Sequence, residues 1–339
     1  MSEPLLQVEN LKVQFTTRDG VVHAVDGVDF TVDRGKVLGI VGESGSGKSV
    51  TALTLLGLTR GPSASFSGSI RYRGKSLLDL SEREFRTIRG NRVAMIFQDP
   101  MTSLNPVFRI GAQISEAIVV HEDVSRREAR RRAVDLLGAV GIPEPERRVD
   151  DYPHEFSGGM RQRAMIAMAL ACTPDVLIAD EPTTALDVTI QAQIIELIDR
   201  LKDEFNSAVI LITHDLGVVA DIADEILVMY AGRIVERGST RQLFYDPQHP
   251  YTWGLLGSIP RLDRPKPERL PSITGTPPSL IELPAGCTFR PRCPHAFDPC
   301  GEEPPLANRT DTPGHLDRCW LPVEEKRLLR VIEKAGVEA

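Results

Sequence analysis

The sequence predicts an α/β fold with a parallel sheet covered on both faces. Near-continuous apolar runs at residues 93–97, 176–179 and 208–213 are what doubly buried strands require. Helical stretches separate them, as crossovers between parallel strands do. A further apolar run, Val37–Val41, leads into a glycine-rich loop at 42–49 and then a helical stretch at 50–58. That strand–loop–helix order is the context of a phosphate-binding loop.

The other elements follow in chain order. Residues 5–15 and 21–32 read as two strands joined through a tight turn at Asp19-Gly20. Ser81 with Glu84, and Ser125 with Glu128, read as capping boxes that each open a helix. The second helix places Ala133, Leu136, Leu137 and Val140 on one face. Its Arg126, Arg127, Arg130, Arg131 and Arg132 read as a solvated outer face. Ser157-Gly158-Gly159 precedes a helix over 160–171, on which Cys172 reads as a small buried apolar residue. Residues 226–230 and 234–236 flank Ala231-Gly232-Arg233 and read as a closing hairpin. Beyond about residue 245 prolines crowd in, at 247, 250, 260, 265, 267, 271, 277, 278, 284 and 291. This is a loop-rich extension, poor in regular structure.

The 339 residues suggest two domains, or one domain plus an extension. Hydrophobic residues make up 41% and charged residues 26%, an ordinary soluble composition. The net charge of -7, from 40 basic and 47 acidic side chains, argues against general nucleic-acid binding, which needs a basic footprint. No apolar run approaches the roughly 18–20 residues of a membrane span. The opening MSEPLLQVEN has an early Glu and no apolar core, so no secretion signal is expected there. A cytosolic chain is expected, with any membrane association made through a partner.

The loop matches GxxxxGK[ST] in full. Its glycines let backbone N–H groups point at phosphate oxygens, and the following helix adds its positive end. The expected phosphate-facing set is Gly42, Ser44, Gly45, Ser46, Gly47, Lys48 and Ser49, with Val50 beginning the helix. Lys48 is expected at the β- and γ-phosphates and Ser49 on Mg²⁺. Asp180-Glu181 ends a sheet strand, where ligands of open α/β sheets sit. Asp180 is read as holding the Mg²⁺ shell, and Glu181 as orienting the attacking water and accepting its proton. Taken alone the pair is an acidic turn before Pro182, and the upstream loop gives it meaning. Gln98 follows a strand and opens the loop QDPMTSLNP, where an amide can touch Mg²⁺ or water. His214 ends the strand at 208–213 and is read as a γ-phosphate hydrogen-bond partner. Ser157-Gly158-Gly159 at a helix start is a second anion site. Two such sites in one chain compete for one phosphate unless each closes on the ATP of a second chain in a head-to-tail dimer.

These five segments, in the chain order 42–49, Gln98, 157–162, Asp180-Glu181 and His214, resemble the ATP-binding-cassette (ABC) ATPases over about residues 5–245. The resemblance implies a phosphate-loop ATPase with an N-terminal antiparallel β subdomain, a RecA-like core and a helical subdomain at about 99–165. Asp187, in Thr184-Ala185-Leu186-Asp187, is similar to the family's loop that crosses the dimer interface. Phe15 lies where the family sets an aromatic ring on adenine, and it reads equally well as a sheet-core residue. His249-Pro250-Tyr251-Thr252, the late cysteines and the stretch from Pro153 to Arg163 resemble the D-type ATPases of oligopeptide/dipeptide permeases. Met160, where most ABC signatures carry Gln, is usual in that type. The resemblance implies a cytoplasmic, membrane-peripheral subunit paired with an F-type ATPase, two transmembrane permease subunits and an extracytoplasmic substrate-binding protein, and no nucleic acid. Importers of nickel or oligosaccharides share this architecture. A DNA-repair or translation ATPase, or a nucleotide-gated scaffold, fits less well, since no coiled-coil insertion or second cassette is present and Glu181 is intact.

Four of the five cysteines, Cys287, Cys293, Cys300 and Cys319, are spaced C-x5-C-x6-C-x18-C in residues 246–339. The paired knuckles usual for structural zinc are missing, and a cytosolic setting disfavours disulfides. A [4Fe–4S] cluster, zinc and free thiols all remain open at this point. Related permease ATPases with this pattern carry such a cluster, which the resemblance therefore implies here, as a pin for a tail lacking its own core.

Overall fold

The computed structural model describes residues 3–184, 186–259 and 273–335. Two sheets organise it. The first is antiparallel, in the order β2 (Val21–Val32), β1 (Leu6–Thr16), β4 (Ala64–Tyr72), β5 (Lys75–Ser76). The second has eight strands. Its central part runs β9 (Glu225–Tyr230), β3 (Val37–Val41), β8 (Ala208–Thr213), β7 (Val176–Asp180), β6 (Val93–Ile96), all parallel. β10 (Arg233–Ser239) closes an antiparallel hairpin with β9. β12 (Leu316–Asp317) and β11 (Ala307–Asn308) then extend the same edge.

Period-two alternation sends the side chains of the central strands into two cores. Leu38, Ile40, Ile178, Ile210 and Ile212 pack with Val13, Phe30 and Ile70 under the antiparallel sheet. Val37, Val41, Leu177, Ala179, Val209 and Leu211 pack on the opposite face with Ile114, Ala133, Ile166 and Leu197. Both faces are buried, which is why these strands read as unbroken apolar runs. The helices Ile110–His121, Arg126–Ala139 and Gly158–Ala169 form the layer over the second core.

Several boundaries differ from expectation. The helix after the phosphate loop is Lys48–Leu55, two residues earlier than expected at its start. β6, expected over 93–97, stops at Ile96 because Phe97 leaves the sheet and is exposed. Asp180 belongs to β7 rather than following it. Ser81 and Glu84 form a reciprocal capping box, but Ser125 caps alone, because the Glu128 carboxylate turns to Arg131 instead. Arg130 pairs with Asp150 and Arg132 with Glu122, so those guanidiniums are engaged with acids. The helix after Ser157 begins at Gly158 and ends at Ala169, leaving Cys172 in the following turn, buried, its thiol donating to Ala117 O at 3.4 Å.

The C-terminal tail is tied into the main sheet through β12. Helices Pro250–Gly257 and Val323–Ala335 also belong to it. Lys326 and Asp317 form a fully buried ion pair at 2.6 Å. Buried Glu236 on β10 accepts the backbone amides of Gln248 and His249 at 2.6 and 2.9 Å. The prolines at 260, 265, 267 and 271, and Ala185, lie outside the described residues.

Candidate active site

Strand register sets the site. Val41 pairs with Thr213, Ile212 with Asp180, and Ala179 with Ile96. The segments that follow these strands therefore leave one edge of the sheet together. They carry Gly42, His214, Glu181 and Gln98. Carboxyl ends of parallel strands are where ligands of open α/β sheets bind.

The phosphate loop is wedged at both ends. Gly42 has φ 155° and Gly47 φ 101°. A Cβ would meet Met229 O at 2.2 Å at the first and Ala24 O at 2.4 Å at the second, so no larger residue fits either place. Gly45, between them, faces open space together with exposed Ser44. Ser46 is buried and its hydroxyl has no hydrogen-bond partner among the described residues. Val50 is half-buried against the core beneath the antiparallel sheet.

Buried Lys48 donates to the carbonyls of Gly42 and Glu43 at 2.7 and 2.9 Å. Burial holds its pKa below the ordinary lysine value, against the nearby charges of Glu181, Asp180 and Glu43. An arriving phosphate gives this ammonium the anionic partner that burial makes valuable. Ser49 Oγ donates to Asp180 Oδ1 at 3.1 Å. Burial pushes the Asp180 carboxyl up, and the Glu181 charge adds to this, while Ser49 and Lys48 oppose it. A buried carboxylate beside a hydroxyl is a hard oxygen pair that suits Mg²⁺.

Glu181 gathers the rest. Its Oε2 accepts from Gln98 Nε2 at 3.0 Å and from Thr184 Oγ1 at 2.8 Å, and lies 3.4 Å from His214 Nδ1. Its backbone sits at φ 46°, unusual for a non-glycine residue, with its amide tied to Ile212 O at 2.8 Å. Such strain, about 1–2 kcal/mol, fixes the direction of the side chain. His214 is 60% exposed, facing the open side of the sheet edge.

Other expected residues sit around this centre. Ser157 caps its helix, its Oγ accepting from Met160 N at 3.3 Å. A Cβ on Gly158 would lie 3.9 Å from Leu186, and one on Gly159 3.2 Å from Ile190, so the signature segment packs against the Asp187 region. Asp187 caps the helix Val188–Phe205, accepting from Ile190 N at 3.0 Å. Phe15 is half-buried against the core of the antiparallel sheet, opposite Val22 and Ala64. Sequence reasoning missed Thr184, and it missed Arg161, whose Nη1 donates to Met101 Sδ at 2.8 Å and links the Gln98 loop to the signature helix. Thr184 was findable from its i+3 spacing to Glu181.

Cys287, Cys293, Cys300 and Cys319 line one small cavity with His249, Phe289 and Trp320. Burial raises the Cys287 thiol and pushes Cys319 up to about 12. Among the described residues, no three His, Cys, Asp or Glu side chains are grouped closely enough to hold a metal ion. The donor chemistry fits a thiophilic centre, and the fold gathers all four thiols, but at wider spacing than a ligand shell.

A family model described as ABC transporter matches residues 25–184, and one described as the C-terminal region of oligopeptide/dipeptide transporters matches residues 235–300. The chain is 56% identical over 321 residues to the oligopeptide transport ATP-binding protein OppD of Salmonella typhimurium, covering 95% of each chain. It is 53% identical over 321 residues to the dipeptide transport ATP-binding protein DppD of Bacillus subtilis, covering 94% of this chain and 95% of that one. Among solved structures, a dimeric post-hydrolysis ATP-binding cassette bound to ADP and Pi is similar, with a TM-score of 0.63, 26% identity, and coverage of 70% of this chain and 99% of that chain.

Proposed function

The chain belongs to the ABC transporter family, among its oligopeptide and dipeptide transport ATP-binding proteins, and from that premise we propose that it is the ATP-hydrolysing subunit of a peptide importer, peripheral to the cytoplasmic membrane face. The observation that carries the hydrolytic reading is the convergence of Gln98, Thr184 and His214 on one oxygen of Glu181, beside the Ser49–Asp180 pair.

Lys48 and the loop amides bind the β- and γ-phosphates. Ser49 and Asp180 hold Mg²⁺, with Gln98 near its shell; when bound, Mg²⁺ neutralises charge on the phosphoryl group being transferred. Glu181 orients the attacking water and accepts its proton. His214 hydrogen-bonds the γ-phosphate from the exposed side. Phe15 stacks on adenine. Ser157, Gly158 and Gly159 close on the ATP of a facing subunit, and Asp187 crosses between subunits. Met160 favours an F-type partner in a heterodimer. Two permease subunits receive motion through the Gln98 loop, and an extracytoplasmic binding protein supplies the peptide. No described helix is long and apolar enough to cross a membrane, consistent with spanning segments on other chains.

In a reconstituted transporter containing this chain, peptide-loaded binding protein is expected to stimulate ATPase activity and drive peptide uptake. Uptake of nickel or an oligosaccharide in place of peptide overturns the substrate reading. The four late cysteines are proposed to ligate [4Fe–4S], supported by their donor type and shared cavity. Elemental analysis of anaerobically purified chain is expected to give about four iron and four sulfide. Stoichiometric zinc, or no metal, overturns that reading.

A further inference from the structure

Glu43, the second residue of the phosphate loop, is held from three sides. Its carbonyl accepts from Lys48 Nζ and from the Ser46 amide. Its backbone amide donates to Tyr251 Oη at 2.8 Å, 208 residues downstream. Its carboxylate forms a two-point ion pair with Arg292, Nη1 to Oε2 at 2.6 Å and Nη2 to Oε1 at 3.0 Å, 249 residues downstream. Two of the three grips thus come from the tail.

The grip is built rather than incidental. The Arg292 side chain is only 3% exposed. Its Nε donates to Thr274 O at 3.0 Å, and Nη2 to Ile273 O at 3.3 Å. Nη1 also reaches Tyr230 Oη at 3.4 Å, and the guanidinium stands 5.7 Å from the Tyr230 ring centre. Tyr230, Tyr251 and Phe289 pack ring against ring at 4.7, 5.2 and 5.4 Å. A buried, fully braced guanidinium presents a rigid fork to one carboxylate. The ion pair is also a commitment, since removing either partner leaves the other charge desolvated and alone.

We propose that Arg292 is a positioning residue for nucleotide binding: through Glu43 it holds the phosphate loop in its phosphate-receiving shape. Gly42, Gly45 and Gly47 all have positive φ, so the loop has little conformational preference of its own. Close backbone contacts wedge Gly42 and Gly47, but a Cβ on Gly45 would meet nothing within 4 Å, so Glu43 is the tail's hold on a loop that is open in its middle. Pre-forming a loop lowers the ordering cost that a ligand must otherwise meet. The tail thereby acts on ATP affinity without touching ATP.

This inference rests on reading residues 42–49 as the ATP loop, and the test separates the two. The full chain is titrated with a fluorescent ATP analogue and Mg²⁺. Failure of the unaltered chain to bind overturns the ATP reading itself. With the unaltered chain binding, Arg292→Met and Glu43→Gln are each expected to raise Kd about 10-fold, as loss of a buried charge partner permits. The double variant is expected to be no worse than the weaker single one. Arg292→Lys is expected to recover part of the loss, and turnover at saturating ATP to change less than Kd. Unchanged Kd in Glu43→Gln overturns the proposal, whatever Arg292→Met does to folding. So does additive loss in the double variant.

Discussion

Glu181 gathers its polar contacts on one atom. Two donors, Gln98 and Thr184, meet at its Oε2 with His214 Nδ1 3.4 Å away, and its own backbone is held in the left-handed region to aim it. Lys48, by contrast, has backbone carbonyls around its ammonium, a binding arrangement rather than a proton-accepting one. The two residues should therefore separate on substitution. Glu181→Gln keeps the side-chain size and retains a carbonyl oxygen for Gln98 and Thr184, but cannot accept a proton. ATP binding is expected to persist while turnover falls about 10²–10⁴-fold, the scale of losing a general base. Equilibrium ATP binding and single-turnover hydrolysis measured on the same preparation check this. Near-normal hydrolysis would remove Glu181 from its role.

The antiparallel sheet is fastened to the parallel one by a small polar knot. Asp175, buried just before β7, accepts from Tyr72 Oη and Arg34 and takes Arg73 Nη2 on both oxygens at 2.8 Å. Tyr72 ends β4, Arg73 follows it, and Arg34 lies between β2 and β3. Burial raises the Asp175 carboxyl, but the bonds from Tyr72 and Arg34 and the charges of Arg34 and Arg73 outweigh it, leaving its pKa below the ordinary value. A depressed carboxylate contributes stability that is present above its unfolded pKa of about 3.9 and is lost as pH falls through the lower folded value. Asp175→Asn is thus expected to cost on the order of 2–4 kcal/mol at neutral pH. The gap to the unaltered chain should narrow below about pH 4 in denaturant melts recorded across pH. An equal gap at all pH values would assign the cost to shape rather than charge. This knot also marks the limit of what the chain's pattern reveals. The doubly buried strands were legible because both of their faces are apolar. β4 was not: its sequence ASFSGSIRY has three serines and buries only Ile70 and Tyr72. The two-residue strands β11 and β12 are too short to show any period, and the Glu43–Arg292 pair spans 249 residues with no local signal. The phosphate loop, Gln98, the Asp180-Glu181 pair and His214 were legible because each lies at or just beyond the end of an apolar run that reads as a strand.

At the scale of the whole molecule, the described residues include two glycine-lined helix starts, at Lys48 and at Gly158, and one polar cluster around Glu181. The first start lies with that cluster at the sheet edge. The second rides on the helical layer, packed against Leu186 and Ile190 next to Asp187, and the neighbouring Val188 is 82% exposed. On the proposed reading, this helix start and the exposed Val188 beside it face a second subunit. Ser157→Arg places a bulky cation at that helix start and removes the cap on Met160 N, a local loss of about 1 kcal/mol. Because this residue contributes nothing to its own chain's phosphate loop, ATP affinity of the isolated subunit is expected to stay within about 2-fold, less than the 10-fold step that 1.4 kcal/mol produces. Hydrolysis by the assembled transporter should collapse, and ATP-dependent dimer formation in sedimentation should disappear. If the variant hydrolyses ATP at the unaltered rate, the second helix start is only a cap, and a single chain contains everything the reaction needs.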